Sequence, residues 1–131
     1  MKKIGLTLFA ALVTLTFAAS SSFAGDAGKG MKYAAKKCAM CHSFGAKIKK
    51  KGKIGPSLEA GIVGKKAGQV AKFKYSKPMK KAIKNGLVWD EANLNTFLKN
   101  PKKFMKGTKM AFPGVKKDKD LADVMAFLKS L

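Results

Sequence analysis

The chain has 131 residues with 28 lysines, no arginine and 7 acidic residues, which give a formal net charge of +21 at pH 7. Proteins that read nucleic acid rely on bidentate arginine contacts to bases and phosphates, so we expect no nucleic-acid partner for an all-lysine chain. Lysine is a strongly hydrated point charge suited to brief encounters, and the charge therefore predicts partners with acidic surfaces.

The first predicted element is an export signal at residues 1–24. Two lysines precede an uncharged apolar run at 4–19, and Ala24 is the small residue expected at a cleavage site. Cutting after Ala24 leaves residues 25–131, a usual size for one domain. The export signal predicts that this domain lies in the periplasm. An uncleaved signal would instead anchor the chain in the membrane. After cleavage we expect no stable membrane insertion, since no later apolar run reaches the ~18 residues of a span.

Helical segments are predicted over much of the remaining chain. In order, they run from Asp26 to about Cys38, from Ser76 to Gly86, from Asp90 to Asn100, and from Asp118 or Asp120 towards the C-terminus. The first three begin at Asp or Ser, whose side chains accept hydrogen bonds from free N–H groups of the first turn. Residues 43–72 are rich in glycine and lysine and predict a loop. No convincing strand pattern is present, so the predicted fold class is all-α.

Both cysteines and the only histidine lie in the segment Cys38-Ala39-Met40-Cys41-His42. A structural zinc site normally takes four nitrogen or thiolate ligands, and the chain offers three. A thioredoxin-type dithiol requires alternating strands and helices, and a plain disulfide leaves the histidine unexplained. Attachment of haem c uses all three residues, with thioethers at Cys38 and Cys41 and His42 on the iron. The motif favours one covalently bound haem c over the dithiol, the disulfide and zinc.

The second axial ligand of the iron is less constrained by sequence. Because His42 is the only histidine, a second imidazole is excluded, and methionine, lysine, water or an open position remain. Met31 and Met125 fall in helical patterns typical of packing, and Met40 cannot reach the opposite haem face from between the cysteines. The remaining candidates are Met79, Met105 and Met110. The last of these lies at 107–113, which cannot be regular helix and could lay a thioether over the iron.

The segment NPKKFMKGTKMAFPGVKK, which begins at Asn100, resembles the axial-ligand segment of the class I cytochromes c, close to mitochondrial cytochrome c and bacterial cytochrome c2. The resemblance extends over residues 25–131 and implies a small fold of four to five short helices around one covalently bound haem. It implies Met110 as the second axial ligand and a Pro56 carbonyl that accepts the Nδ1 proton of His42. Further haem-environment residues implied by the resemblance are Tyr75, Trp89, Phe97, Thr108 and Phe112.

Three other positions bear on this resemblance. Phe97 stands where the family usually has a tyrosine whose hydroxyl touches the methionine sulfur, so this hydrogen bond is expected to be missing. Lys65 stands where an arginine near a haem propionate is usual. Gly30 and Phe127 match the close crossing of the first and last helices.

The function implied by the resemblance is that of a monomeric electron carrier rather than an enzyme. Its expected partners are acidic docking surfaces on membrane-bound complexes of respiration or photosynthesis: a bc1-type donor, and a terminal oxidase or reaction centre as acceptor. Six lysines match family positions around the exposed haem edge, namely Lys37, Lys102, Lys103, Lys109, Lys116 and Lys117. The alternative is a haem-based peroxidase or gas-binding sensor with a labile sixth ligand, an idea that the missing hydroxyl at Phe97 supports.

Overall fold

The computed structural model of the protein describes residues 24–131, so the predicted export signal lies outside the described residues except for Ala24. The helices are α1 (Ala27–Lys37), α2 (Lys77–Lys84), α3 (Glu91–Lys99), α4 (Pro101–Phe104) and α5 (Asp118–Lys129), with a 3₁₀ turn at Gly45–Lys47. Extended pairing in this part of the chain is limited to an isolated bridge between Lys66 and Val88. The all-α prediction is confirmed. Between residues 24 and 131 we find no helix with the length and apolarity needed to cross a bilayer.

The helix starts follow from local capping. The side chains of Asp26, Ser76 and Asp90 each accept a hydrogen bond from the backbone N–H three residues later, at 2.9, 3.4 and 2.7 Å. These caps satisfy donors that the first helical turn leaves free, and all three were predicted. Helix α5 begins at Asp118 without a side-chain cap. Acidic side chains in its first turn interact favourably with the helix dipole instead.

Helix α4 was not predicted as a separate element. Asn100 ends α3, and its side chain accepts a hydrogen bond from the Lys103 N–H at 3.1 Å, which caps the next helix. Pro101 follows at the first position of α4, where its missing N–H removes no helical hydrogen bond. The chain therefore turns sharply at Asn100 and starts a new helix at once.

The crossing of α1 and α5 forms the centre of the fold. A Cβ atom on Gly30 would lie 1.9 Å from the Asp123 carbonyl oxygen and 2.9 Å from the Phe127 Cβ, so only glycine allows this approach. The Phe127 ring is 2% exposed and packs against the Phe44 ring, with centroids 5.5 Å apart. The predicted match of Gly30 and Phe127 to a close helix crossing is confirmed.

A short antiparallel contact places Trp89 in the core. The Trp89 carbonyl accepts from the Gly64 N–H and its own N–H donates to the Lys65 carbonyl, both at 2.8 Å. The indole is 5% exposed and lies 5.0 Å from the Phe97 ring and 6.0 Å from the Phe104 ring, measured between centroids. This aromatic cluster joins the 64–67 loop to α3 and α4.

Candidate functional site

The two cysteines and the histidine lie together in one tight turn directly after α1. The Cys38 carbonyl accepts hydrogen bonds from the N–H groups of Cys41 at 3.0 Å and His42 at 2.9 Å. Both thiols are free and partly buried. Burial, with a smaller contribution from neighbouring Cys41, raises the pKa of Cys38 to about 11, so this thiol is protonated at neutral pH.

The imidazole of His42 is held by the backbone of the following loop. Its Nδ1 lies 2.8 Å from the Pro56 carbonyl oxygen, and because a carbonyl only accepts, Nδ1 is the donor. The lone pair of Nε2 is therefore free to bind a metal. Burial lowers the pKa of His42 while the bond to Pro56 opposes this, and the net shift favours the neutral, ligating form. The hydrogen bond expected from the resemblance is present.

Two glycines bring this loop against the motif: Gly55, which the sequence marks as part of a Gly55-Pro56 turn, and Gly52, which it does not single out. A Cβ on Gly55 would lie 2.4 Å from the His42 Cε1, and one on Gly52 would lie 2.3 Å from the Cys41 carbonyl carbon. The Gly55 N–H also donates to the Cys41 carbonyl at 2.8 Å. Gly55-Pro56 predicts a turn, but neither this pair nor the recurrence of glycine in a lysine-rich loop predicts that the two glycines lie against the motif.

Met110 lies in a non-helical segment, as predicted, and its position is set by a turn. The Thr108 N–H donates to the Met105 carbonyl at 3.0 Å, and Gly107 has a φ of 82°, the geometry of a type II turn. The Thr108 hydroxyl oxygen then accepts from the Met110 N–H at 3.3 Å. Met110 itself is partly buried against the core.

The end of this segment is fixed to α3. The Val115 N–H donates to the Leu98 carbonyl at 2.8 Å. A Cβ on Gly114 would lie 2.0 Å from the Lys99 carbonyl oxygen, and its φ of 93° also requires glycine. The segment between α4 and α5 is thus attached at both ends, with Met110 between the attachments.

The other methionines differ in burial. Met125 is 5% exposed on α5 and Met31 packs against the same core from α1, which confirms the prediction that both are packing residues. Met40 is 59% exposed, Met105 is 6% exposed, and Met79 lies partly buried on α2. The assignment of Met110 rather than Met79 or Met105 as the axial ligand stays a prediction that rests on the resemblance.

The aromatic residues predicted for the haem environment differ in how deeply they are buried. Trp89 and Phe97 are buried, whereas Phe112 is partly buried against the core. The Tyr75 hydroxyl oxygen accepts from the Val70 N–H at 3.1 Å, which leaves its proton available for another acceptor. Lys65 is exposed, and its ammonium donates to the Ala60 carbonyl.

These residues fit a covalently bound haem. Two free thiols lie three residues apart, as thioether attachment requires, and the imidazole beside them has Nε2 available for iron. Partly buried apolar side chains on the core offer surface that an apolar macrocycle would cover: Leu58, Ile62, Val63, Ile83, Leu87 and Phe112. The fold and the donor set together define a c-type cytochrome.

Comparison with known proteins identifies the family. Residues 27–131 match the family model for cytochrome c, and the chain belongs to that family. It is 43% identical over 128 residues to cytochrome c2 of Rhodomicrobium vannielii, covering 98% of this chain and 95% of the relative. It is 46% identical over 107 residues to cytochrome c of Tetrahymena pyriformis, covering 82% of this chain and 90% of the relative.

A solved structure supports the same assignment. Cytochrome cH from Methylobacterium extorquens superposes with a TM-score of 0.69 at 42% identity, covering 82% of this chain and all of that one. Membership in the cytochrome c family gives the protein a covalently bound haem c as cofactor and electron transport as its function.

Proposed function

We propose that the protein is a periplasmic electron carrier in which Cys38 and Cys41 hold the haem through thioethers and the iron is bound by His42 and Met110. The observation that carries this proposal is the 2.8 Å hydrogen bond from His42 Nδ1 to the Pro56 carbonyl, directly after the two free cysteines. This bond selects the tautomer that can bind iron and fixes the ring orientation.

The cofactor supplies a centre that gains or releases one electron. The protein's part is to hold this centre with two side chains, so that no iron position is left for a substrate. His42 is fixed through Pro56, and Met110 is positioned by the Thr108 hydroxyl. A neutral thioether ligand favours the reduced state over the oxidised state. The apolar core acts in the same direction, because burial penalises the additional charge of the oxidised centre.

Six exposed lysines, the lysine collar, are proposed to orient the protein on acidic docking surfaces of membrane complexes. They are Lys37, Lys102, Lys103, Lys109, Lys116 and Lys117. The ion pairs found within residues 24–131 involve Lys99, Lys119 and Lys129, so the collar charges are not neutralised by carboxylates in that part of the chain. The proposed donor is a bc1-type complex, and the proposed acceptor is a terminal oxidase or a reaction centre.

Spectroscopy of the haem-loaded protein tests the ligand assignment. We expect low-spin spectra in both redox states, a ferric methionine charge-transfer band, and little carbon monoxide binding when reduced. Met110→Ala should abolish the band, whereas Met40→Ala, at an exposed position beside the same cysteines, should leave it unchanged. If the band persists in Met110→Ala, the axial ligand is Met79 or Met105 instead. Ready carbon monoxide binding by the unchanged protein would favour the peroxidase or sensor alternative.

Electron-transfer kinetics test the docking assignment. Charges interact over ~8–10 Å at ordinary ionic strength, so reduction by a purified bc1-type complex should slow as salt is raised. Lys103→Gln should slow the reaction at low salt and weaken its salt dependence. Lys81→Gln removes one exposed charge outside the collar and should do neither. A rate that is independent of salt would refute the collar.

The export signal is proposed to be removed between Ala24 and Gly25. Helix α1 starts at Ala27, two residues beyond the cut, so cleavage there leaves every described helix intact. The mass of the exported, haem-loaded protein tests this directly. A mass that includes residues 1–24 would instead indicate an uncleaved membrane anchor.

A further inference from the structure

The backbone that follows the proposed cut lies directly on α5. A Cβ on Gly25 would lie 1.9 Å from the Ala122 carbonyl oxygen and 2.8 Å from the Asp123 backbone nitrogen. The next residue, Asp26, donates its N–H to the Asp123 Oδ1 at 2.7 Å. Residues 25 and 26 are therefore held against the last helix before α1 begins.

Asp123 is the unusual residue of this contact. It is 6% exposed and is the only buried charged side chain within residues 24–131. One carboxylate oxygen accepts from the Asp26 N–H, and the other lies 3.2 Å from the Lys119 Nζ. The Asp26 hydrogen bond, supported by Lys119 and more weakly by Lys29, lowers the pKa of Asp123. The carboxylate is therefore ionised at neutral pH.

Cleavage after Ala24 changes the charge at this contact. In the uncut chain the nitrogen of Gly25 is a neutral amide, and in the cut chain it is an ammonium group. Backbone nitrogens of neighbouring residues are at most about 3.6 Å apart and the Asp26 nitrogen lies 2.7 Å from the Asp123 Oδ1, so the new ammonium would lie no more than about 6.3 Å from that oxygen. At this separation opposite charges stabilise each other's ionised forms.

We infer that Gly25 is a processing site: cleavage before it forms an ammonium group that pairs with the buried carboxylate of Asp123. Removal of the signal thereby adds an ion pair that stabilises the contact between α1 and α5. This inference rests on the proposed cut after Ala24. Gly25 suits the position because any side chain there would collide with the α5 backbone. A start at Ala24, which is exposed, would place the ammonium one residue, up to about 3.5 Å of chain, further from the Asp26 N–H that holds the carboxylate.

Other charges near the terminus modify the pair without replacing it. Lys119 and Lys29 both face Asp123, and each competes with the ammonium for it. The carboxylate of Asp26 accepts from the Lys29 N–H at the start of α1 and adds a second negative charge nearby. Both carboxylates also oppose the positive end of the α1 dipole, which would otherwise disfavour an ammonium at this terminus.

The pKa of the α-amino group is the decisive measurement. Haem-loaded chains that begin at Gly25 and at Ala24 are labelled at the first residue and titrated by NMR. The Gly25 chain should show an α-amino pKa at least about half a unit above the usual range of about 7.7–8.0, and the Ala24 chain should lie within it. Equal values in the two chains would overturn the inference.

Unfolding provides a second readout. Because the folded-state pKa is raised, the stabilisation is complete below the unfolded value and is lost as pH rises through the folded value. The Gly25 chain should therefore unfold at higher denaturant than its Nα-acetylated form at pH 6, and at the same denaturant at pH 10. A difference that does not depend on pH would count against the ion pair.

Two matched variants on α5 separate this pair from general charge effects. Asp123→Asn should return the α-amino pKa to its ordinary range, whereas Asp118→Asn should not, since Asp118 is 85% exposed and pairs with Lys99. If Asp123→Asn does not fold, the α-amino pKa values of the chains that begin at Gly25 and at Ala24 still test the ion pair. If the exported protein begins elsewhere, the cut site is wrong, while the recombinant Gly25 chain still tests the pair.

Discussion

Replacement of Gly30 by alanine tests the helix crossing on which the fold depends. The added Cβ would lie 1.9 Å from the Asp123 carbonyl oxygen, whereas ordinary van der Waals contact begins at 3.4 Å. The atom that it meets belongs to the α5 backbone and cannot rotate away. The two helices must therefore separate or shift to accept a single methyl group.

The magnitude follows from two opposing contributions. Alanine favours a helix interior over glycine by about 1 kcal/mol. Overpacking of a tight core typically costs about 1–3 kcal/mol, and a collision with backbone belongs at or above the upper end of that range. We expect Gly30→Ala to lower the free energy of unfolding by about 2 kcal/mol, which corresponds to a fall of roughly 8–16 °C in Tm for a domain of this size.

Urea denaturation of the haem-loaded protein, followed by circular dichroism, measures the effect. Gly28→Ala is the matched control, because it lies in the same helix and its Cβ would approach only the Asp26 side chain, at 3.2 Å. That variant should be as stable as the unchanged protein or slightly more so. If Gly30→Ala were no less stable than Gly28→Ala, the close crossing of α1 and α5 would be wrong.

Three further changes probe other parts of the structure. Phe44→Ala removes a ring that is 1% exposed and packs on Phe127, so the free energy of unfolding in urea should fall by about 3–5 kcal/mol; a loss below about 1 kcal/mol would show that the ring is not a core residue. Gly55→Ala places a Cβ 2.4 Å from the His42 ring, so the NMR signal of the protected Nδ1 proton should be lost. Its survival in that variant would argue against the close approach. Because the pKa of Asp123 is lowered, its stabilising effect is present above the unfolded value of about 3.9 and is lost as pH falls through the folded value. Asp123→Asn should therefore flatten the acid side of the plot of unfolding midpoint against pH, and an unaltered acid side would contradict this role.

The helix starts and the haem motif were predicted well from the sequence because both depend on residues that are close together along the chain. Caps at Asp26, Ser76 and Asp90 act on N–H groups three residues away, so the helix starts could be inferred from neighbouring residues alone. The haem motif was equally local, because its cysteines and histidine share one turn. The second cap at Asn100 was missed, since the same residue ends one helix and begins the next.

The features that sequence could not predict from the residues alone depend on contacts between distant segments. The burial of Asp123 requires Asp26 to lie beside it, and these residues are 97 positions apart. The approach of Gly55 to His42 likewise depends on how the loop folds back. Pro56 was placed correctly only through the family resemblance, and the roles of Met110 and the other haem contacts remain predictions of that resemblance.

The backbone contact beside Trp89 also closes a loop. The Ala67 N–H donates to the Leu87 carbonyl at 2.8 Å, so the stretch between these residues, including α2, begins and ends at neighbouring points of the backbone. Helix α2 has no buried residue, unlike α1, α3 and α5. The stretch can therefore open as a cooperative unit while α1 and α5 stay folded, so its amide hydrogens should exchange with solvent by sub-global unfolding.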